Sequence, residues 1–273
     1  MSILRRLKRF SIVGLSVCAG CTLKWMVTDN RVLAAVKDKD DENAPEPANL
    51  KLKLKHVQIL FRHGARTPLH LIPGIEQATY PANFLLKPVP HTIFDIQIVN
   101  ADGRPLESSR YDAHYGKTQL EGGCTGGLLT NYGQDQMYIL GKRLRRDYVE
   151  KIKFIDSFDP NLVDLTTTHM RRTKESLRCV LAGFFGVENL RKQEPIIVKS
   201  NDSNNEIMVP CPHLCPVFWQ INHSAMVHVA NMQEFLEDRV LLEKKLGAEN
   251  YKKNGVNFIA IRDDIVARKV NKC

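Results

Sequence analysis

Short apolar runs alternate with amphipathic stretches along the chain, which is the pattern of an α/β domain. Residues 57–61 form a run of β-branched and aromatic residues that leads into a turn marked by Gly64 and Pro68. This run predicts a buried strand that ends at a loop. Weaker apolar runs of similar length predict strands at 93–99, 162–167 and 194–198.

Three stretches place apolar residues at helical spacing. The first runs from Thr130, which has the side chain of an N-cap, to about Tyr148. The second carries a stripe of leucine, valine and phenylalanine over residues 177–185, and the third is a long amphipathic stretch over 225–246. We therefore predict three helices, and we expect the third to be scaffold or lid.

The region between Pro68 and Cys124 is interrupted by five prolines and several glycines. Such punctuation favours loops over long regular elements. We interpret the region as an insertion or a loop-rich lid over the ends of the strands. The glycine-rich stretch 122–127 lacks the lysine and hydroxyl residue of a phosphate-binding P-loop, so we expect a turn before the helix.

The first 36 residues have a composition of their own. They contain six basic residues and one acidic residue, which gives this segment a net charge of +5 out of +9 for the whole chain. A basic start without acids is typical of a mitochondrial transit peptide, and the apolar stretch after it fits a secretory signal equally well. Residues 37–49 mix charges with two prolines and predict a solvated linker, so the folded domain is expected to begin near Leu50. Because the excess charge lies in the leader, a nucleic-acid-binding function is disfavoured.

Seven cysteines are scattered along 273 residues, so their number leaves the redox compartment undecided. Cys211 and Cys215 flank a histidine, but no second cysteine pair follows at a zinc-site spacing. We expect packing thiols or a local disulfide there.

A histidine between two arginines follows the first predicted strand, in the string Arg62-His63-Gly64-Ala65-Arg66-Thr67-Pro68. Arg62 and Arg66 offer forked donors that match phosphate oxygens. His63 has an ordinary pKa of about 6.5, so a free ring nitrogen is available as a nucleophile near neutral pH. This first motif predicts a phosphate site with a histidine nucleophile.

A second motif, Thr167-Thr168-His169-Met170-Arg171-Arg172-Thr173, lies between the 162–167 run and the second predicted helix. A guanidinium at the start of a helix lies at the positive end of the helix dipole, and a bound phosphate relieves that repulsion. If the strands are parallel neighbours, this motif approaches the first one.

The two motifs resemble those of the histidine acid phosphatases, a branch of the phosphoglycerate-mutase-like histidine phosphatase superfamily. The resemblance covers about residues 50–268 and implies an α/β sandwich with an inserted lid. It implies that His63 attacks phosphorus and becomes a phosphohistidine, and that the phosphoryl oxygens are held by Arg62, Arg66 and Arg172. It also implies that neither a metal nor another cofactor is needed.

The whole string is most similar to family members that hydrolyse lysophosphatidic acid to monoacylglycerol and phosphate in mitochondria. That similarity implies a lysophospholipid substrate, peripheral contact with a membrane, a monomer and no nucleic-acid partner. An apolar channel for such a substrate has candidates in Phe84, Leu85, Leu86 and Phe94. The alternative is an inositol-phosphate or broad-specificity acid phosphatase, which requires a basic insertion instead.

The family also uses a later His-Asp pair, in which the aspartate is the general acid for the leaving oxygen. None of the nine histidines here is followed by aspartate or glutamate. The resemblance therefore implies an incomplete domain, missing its C-terminal part and ending in a divergent tail at 269–273. General acid catalysis contributes about 10²- to 10⁴-fold, so reduced activity or a non-catalytic isoform is a further expectation.

Overall fold

The computed structural model describes residues 53–209, 215–253 and 255–272. The predicted leader 1–36, the predicted linker 37–49 and Cys211 lie outside the described residues. The described α-helices are α1 (Ala82–Leu85), α2 (Arg110–Tyr115), α3 (Asn131–Leu144), α4 (Arg171–Phe185), α5 (Val187–Arg191), α6 (Pro216–Ala230), α7 (Gln233–Leu246) and α8 (Phe258–Asn271). The described strands are β1 (Ile96–Val99) and β2 (Ile196–Lys199).

The described strands form a small parallel sheet, in which Ile96 lies opposite Ile196 and Val99 lies opposite Lys199. This pairing confirms the strands predicted at 93–99 and 194–198 in a shorter form. The strand predicted at 162–167 is reduced to one parallel bridge between Thr166 and Lys199. Hydrogen bonds from the Lys199 amide to the Leu165 carbonyl (2.9 Å) and from the Thr167 amide to the Lys199 carbonyl (3.0 Å) hold that bridge beside β2.

The prediction of a buried strand at 57–61 is wrong. The described part of this segment has no regular secondary structure, and the side chain of Leu60 is 85% exposed. A strand gains its stability from hydrogen bonds to a neighbouring strand. No other strand among residues 53–209, 215–253 and 255–272 pairs with this segment. Its β-branched composition alone therefore does not make it a strand.

Helices α3 and α4 cross at two glycines. A Cβ atom on Gly141 would collide with the Val180 carbonyl oxygen, and a Cβ atom on Gly183 would collide with the Tyr138 carbonyl oxygen. The two backbones therefore touch, as they can only where side chains are absent. The apolar face of α4 packs with β1 and β2 into the main core, which contains Phe94, Leu177, Leu181, Phe185, Ile196 and Val198.

The predicted helix bounds are confirmed at the start of α3 and at the ends of α4 and α7. The Thr130 hydroxyl accepts a hydrogen bond from the Gly133 amide and caps α3, as its sequence predicts. A π-helix at Arg145–Lys151 then continues α3 beyond its α-helical end. The prediction of a single helix over 225–246 is wrong. Helix α6 ends at Ala230, and the backbone of Met232 is extended at the start of α7.

The proline-rich region after Pro68 packs against the rest of the domain. It contributes a buried cluster of its own around Tyr80, Leu85 and Leu120. Ile72 joins a third cluster with Tyr251 and with residues of α8. Short 3₁₀ helices at Pro90–Thr92 and Ala248–Tyr251 complete the two regions. None of the described helices combines the length and the apolar character needed to cross a bilayer.

Candidate active site

The first-motif loop, residues 62–68, is held by backbone hydrogen bonds from the segment that precedes α3. The Thr67 amide donates to the Leu128 carbonyl (2.9 Å), and the Thr130 amide donates to the Ala65 carbonyl (3.1 Å). The fully buried Thr67 hydroxyl donates to the Thr125 carbonyl (2.8 Å) and accepts from the Leu128 amide (2.9 Å). The loop is therefore fixed without a strand in front of it.

The loop also touches α3 and α4 directly. The Gly64 amide donates to the Ser176 hydroxyl (3.2 Å), and the Ala65 amide donates to the Gln136 side chain (2.9 Å). A Cβ atom on Gly64 would collide with the Gly133 carbonyl oxygen at the start of α3. The glycine after His63 is required because the loop backbone lies against the helix backbone.

His63 is oriented by a hydrogen bond to the backbone. Its Nδ1 lies 2.8 Å from the Gly64 carbonyl oxygen, which can only accept, so Nδ1 carries the proton. The lone pair is then on Nε2. Burial lowers the pKa of His63 to about 4, against the opposing effect of the Gly64 hydrogen bond, and the charges of Arg172, Arg66 and Arg62 lower it further. The imidazole is therefore neutral over the physiological range, as a nucleophile must be.

Arg66 is buried, with 8% of its surface exposed, and its guanidinium donates both to a carboxylate and to a backbone carbonyl. Its Nη1 and Nη2 atoms donate to the two carboxylate oxygens of Asp263 at 3.0 and 2.8 Å. Its Nη1 atom also donates to the Thr67 carbonyl (2.9 Å). The Nε atom is buried without a hydrogen-bond partner. Asp263 thus occupies one edge of the Arg66 guanidinium.

Arg172 lies in the first turn of α4 and is also buried. Its guanidinium stacks on Tyr115 with 5.2 Å between its central carbon and the ring centroid, and its Nε atom has no hydrogen-bond partner. Burial lowers the pKa of Arg172 from its ordinary value, and the charge of Arg66 lowers it further. Two buried guanidiniums that repel each other and have unpartnered donors are an anion site.

Arg62 differs from the other two arginines because its side chain is exposed to solvent. Its charge still contributes to the lowered pKa of His63. The structure therefore brings the half-buried His63 together with the buried Arg66 and Arg172, with Arg62 next to them on the exposed side.

Three residues of the site were not predicted from the sequence. Asp263 is about 200 positions from Arg66, and Tyr115 lies in the region predicted to be loop-rich, so neither has a local signal. Ser176 could have been found, because it is four residues after Arg172 and helical spacing places both on one face of α4.

A cavity of about 150 Å³ lies beside the second motif. Of the residues predicted for an apolar channel, Leu86 lines this cavity, whereas Leu85 and Phe94 are buried in the cores. The side chain of Phe84 lies outside the described residues. The remaining lining residues are Pro88, Thr92, Ile93, Leu128, Leu129, Gln134, Arg171, Glu175 and Arg178. Apolar and polar side chains both line the cavity, and its charged residues are those of α4.

Sequence comparison identifies the family of this chain. Residues 53–253 match the histidine phosphatase superfamily (branch 2). The chain belongs to this superfamily. Among the described residues, no group of three or more histidine, cysteine, aspartate or glutamate side chains is arranged to hold a metal ion.

Curated members of the histidine phosphatase superfamily are similar to most of this chain. Lysophosphatidic acid phosphatase type 6 of Homo sapiens is 34% identical over 251 residues, and that of Bos taurus is 33% identical over 254 residues. Each alignment covers 92% of this chain and 57% of the relative. A probable acid phosphatase of Schizosaccharomyces pombe is 28% identical over 183 residues, with 63% of this chain and 39% of the relative covered. The chain therefore spans little more than half the length of the relatives first named.

Proposed function

We propose that this chain is a phosphomonoesterase that transfers the phosphoryl group of its substrate to Nε2 of His63 and then to water. The observation that carries the proposal is the fixed, neutral imidazole beside two buried guanidiniums with unpartnered Nε donors. In the first step, the Nε2 lone pair forms a bond to phosphorus while the bond to the leaving oxygen breaks. Water then attacks the phosphohistidine, which returns Nε2 and releases phosphate.

The three arginines have distinct parts in this reaction. Arg66 and Arg172 donate to the phosphoryl oxygens from the buried side, where charge-assisted hydrogen bonds are strongest. Arg62 approaches from the exposed side. The charge that spreads over the phosphoryl oxygens in the transition state is thereby balanced, which is the main contribution that a protein makes to phosphoryl transfer.

We propose lysophosphatidic acid as the substrate, cleaved to monoacylglycerol and phosphate. The names of the relatives of Homo sapiens and Bos taurus support this assignment. Leu86, Ile93 and Leu128 in the lining of the cavity beside the second motif suit contact with an acyl group, although Arg171 and Arg178 line the same cavity. The basic leader supports a mitochondrial address for this activity.

Turnover of two kinds of ester tests the proposal. An aryl phosphate has a weakly basic leaving oxygen and needs no general acid, whereas lysophosphatidic acid has an alkyl leaving oxygen that does. We expect the purified full chain to release phosphate from p-nitrophenyl phosphate. His63→Ala should reduce the rate on the order of 10⁴-fold or more, as the loss of a nucleophile does in other enzymes.

His56→Ala is the matched control, because His56 is an exposed histidine outside the first-motif loop. Equal release by wild type and His63→Ala would reject the proposed mechanism. Faster release from inositol hexakisphosphate than from lysophosphatidic acid would reject the proposed substrate. Release from the aryl ester alone would identify a phosphoryl-transfer site that lacks a proton donor for alkyl esters.

A further inference from the structure

We propose that Asp263 is a positioning residue, which holds the Arg66 guanidinium so that its remaining edge faces the phosphoryl group. This inference rests on the proposed function, because it concerns how the same site recognises the transferring group. It extends the site by a residue on α8, about 200 positions along the chain from the first motif.

The carboxylate of Asp263 holds three donors of the first-motif loop region. One oxygen accepts from Nη2 of Arg66 (2.8 Å), and the other accepts from Nη1 of Arg66 (3.0 Å) and from the Leu69 amide (3.1 Å). The second Nη1 donor of Arg66 reaches the Thr67 carbonyl (2.9 Å). A planar guanidinium bonded at this many points cannot rotate about its last torsions.

The remaining N–H donors of Arg66 lie along one edge of its guanidinium. A guanidinium has five N–H groups in one plane, and Asp263 and the Thr67 carbonyl account for three of those on Arg66. The Nε–H group and the second Nη2–H group lie on the same side edge, and the buried Nε has no partner. Two parallel donors on one edge match two phosphoryl oxygens.

Helix α8 fixes the main chain of Arg66 as well as its side chain. The Asn271 side chain donates to the Arg66 carbonyl (3.2 Å) and accepts from the Thr130 hydroxyl (2.8 Å), which caps α3. Residues 269–271, predicted as the start of a divergent tail, are thus the last turn of α8 and contact the site. The helix supports Arg66 at two points about two turns apart.

Asp263 also cancels one of the positive charges around His63. Removing that negative charge would make the site attract a ground-state anion more strongly. Releasing the Arg66 guanidinium would at the same time misplace the donors that the transition state needs, and a misplacement of about 1 Å costs about 100-fold in rate. The two effects act in opposite directions on ground-state and transition-state binding, so they can be separated.

Binding of inorganic phosphate and of orthovanadate to the full chain tests the inference. Vanadate can adopt the five-coordinate geometry of the transferring phosphorus, so it reports the transition state and phosphate reports the ground state. We expect Asp263→Asn to weaken vanadate binding about 100-fold. Phosphate affinity should stay the same or increase, and Asp263→Glu should restore part of the vanadate affinity.

Asp264→Asn is the matched control, because the adjacent Asp264 pairs with Arg268 (2.7 Å) on the same helix. It should lower the melting temperature without changing the ratio of the two affinities. Equal losses of phosphate and vanadate affinity in Asp263→Asn, or no loss of either, would overturn the positioning role. A wild-type chain that binds neither anion would instead reject the proposed function.

Discussion

The first-motif loop and helix α6 are opposite cases of how composition relates to structure. The loop is rich in charged and polar residues, yet Arg66 and Thr67 are buried and their side chains are hydrogen-bonded to the backbone. Helix α6 contains no Asp, Glu, Lys or Arg, yet none of its described side chains is buried, and Trp219 is 52% exposed. Polarity is therefore a poor guide to burial in both regions.

The difference between the two regions shows which side chains of this protein can bind an anion or react. Charged groups become reactive or selective when burial shifts their pKa and contacts fix their direction, as the Gly64 carbonyl does for His63 and the Tyr115 ring does for Arg172. Exposed apolar side chains on α6 have neither property. We expect changes in the loop to alter anion binding strongly and changes on α6 to leave it unaltered.

The largest effect short of removing His63 is expected at Arg172. Arg172→Ala should lower kcat/KM for an aryl phosphate by about 10² to 10³, because one charge-assisted donor to the transferring phosphoryl group is lost. Arg172→Lys should recover little of this loss, because a lysine cannot reproduce the fork. Arg143→Ala, on the exposed face of α3, is the matched control. Steady-state kinetics measure both, and a loss below threefold for Arg172→Ala would contradict the assignment.

The pH dependence of activity should report the lowered pKa of His63. Since the folded pKa is about 4, the nucleophile stays unprotonated well into the acidic range. The acidic limb of kcat/KM should therefore lie near pH 4, about two units below that of an ordinary histidine. A limb near pH 6.5 would contradict the burial of the imidazole.

The same pKa has a consequence for stability. Between pH 6.5 and pH 4 the unfolded chain binds the His63 proton and the folded chain does not, so the free energy of unfolding falls as pH falls through this window. His63→Gln should remove that part of the pH dependence. Urea unfolding at several pH values between 4 and 7 would measure it.

Gly64→Ala is expected to lower the free energy of unfolding, because it destabilises the first-motif loop. A methyl group there meets the Gly133 carbonyl oxygen, so the backbone must shift, at a cost of about 1–3 kcal/mol. That cost corresponds to a decrease of roughly 2–4 °C in melting temperature per kcal/mol for a chain of this size. Gly103→Ala controls for the residue type, because nothing lies within 4 Å of a Cβ atom there, although its φ of +78° adds strain. A larger decrease for Gly103→Ala than for Gly64→Ala would contradict the close contact with α3.

The smallest effect is expected on α6. Trp219→Ser should leave phosphate affinity within about twofold, because an exposed substitution away from the site changes free energies by about 0.5 kcal/mol at most. Trp219 stacks on His223 (5.1 Å between centroids), so the change removes one exposed ring contact. Thermal shift with and without phosphate measures the effect, and a loss above tenfold would show that the two regions are coupled.

Local signals predicted the features that local physics determines. The Thr130 cap, the apolar stripe of α4 and the strand at β2 depend on residues within one turn or one short run. The first and second motifs also predicted that His63 and Arg172 share a site, and the structure places the charge of Arg172 close enough to lower the pKa of His63.

Features that depend on distant partners could not be predicted. The 57–61 run has strand composition, but strand formation needs a paired neighbour. The pairing of Arg66 with Asp263 joins positions that are about 200 residues apart. The end of α6 lacks glycine or proline, and Met232 starts α7 without a side-chain cap. In the first two cases the decisive interaction is tertiary.

Trapping of the phosphorylated protein tests the central claim most directly. The full chain would be mixed with an aryl phosphate, quenched in alkali, where phosphohistidine survives, and digested for mapping by mass spectrometry. The account predicts one phosphoryl group, on the peptide that contains His63, and none in His63→Ala. A phosphoryl group on another residue, or phosphate release with unchanged rate in His63→Ala, would contradict it.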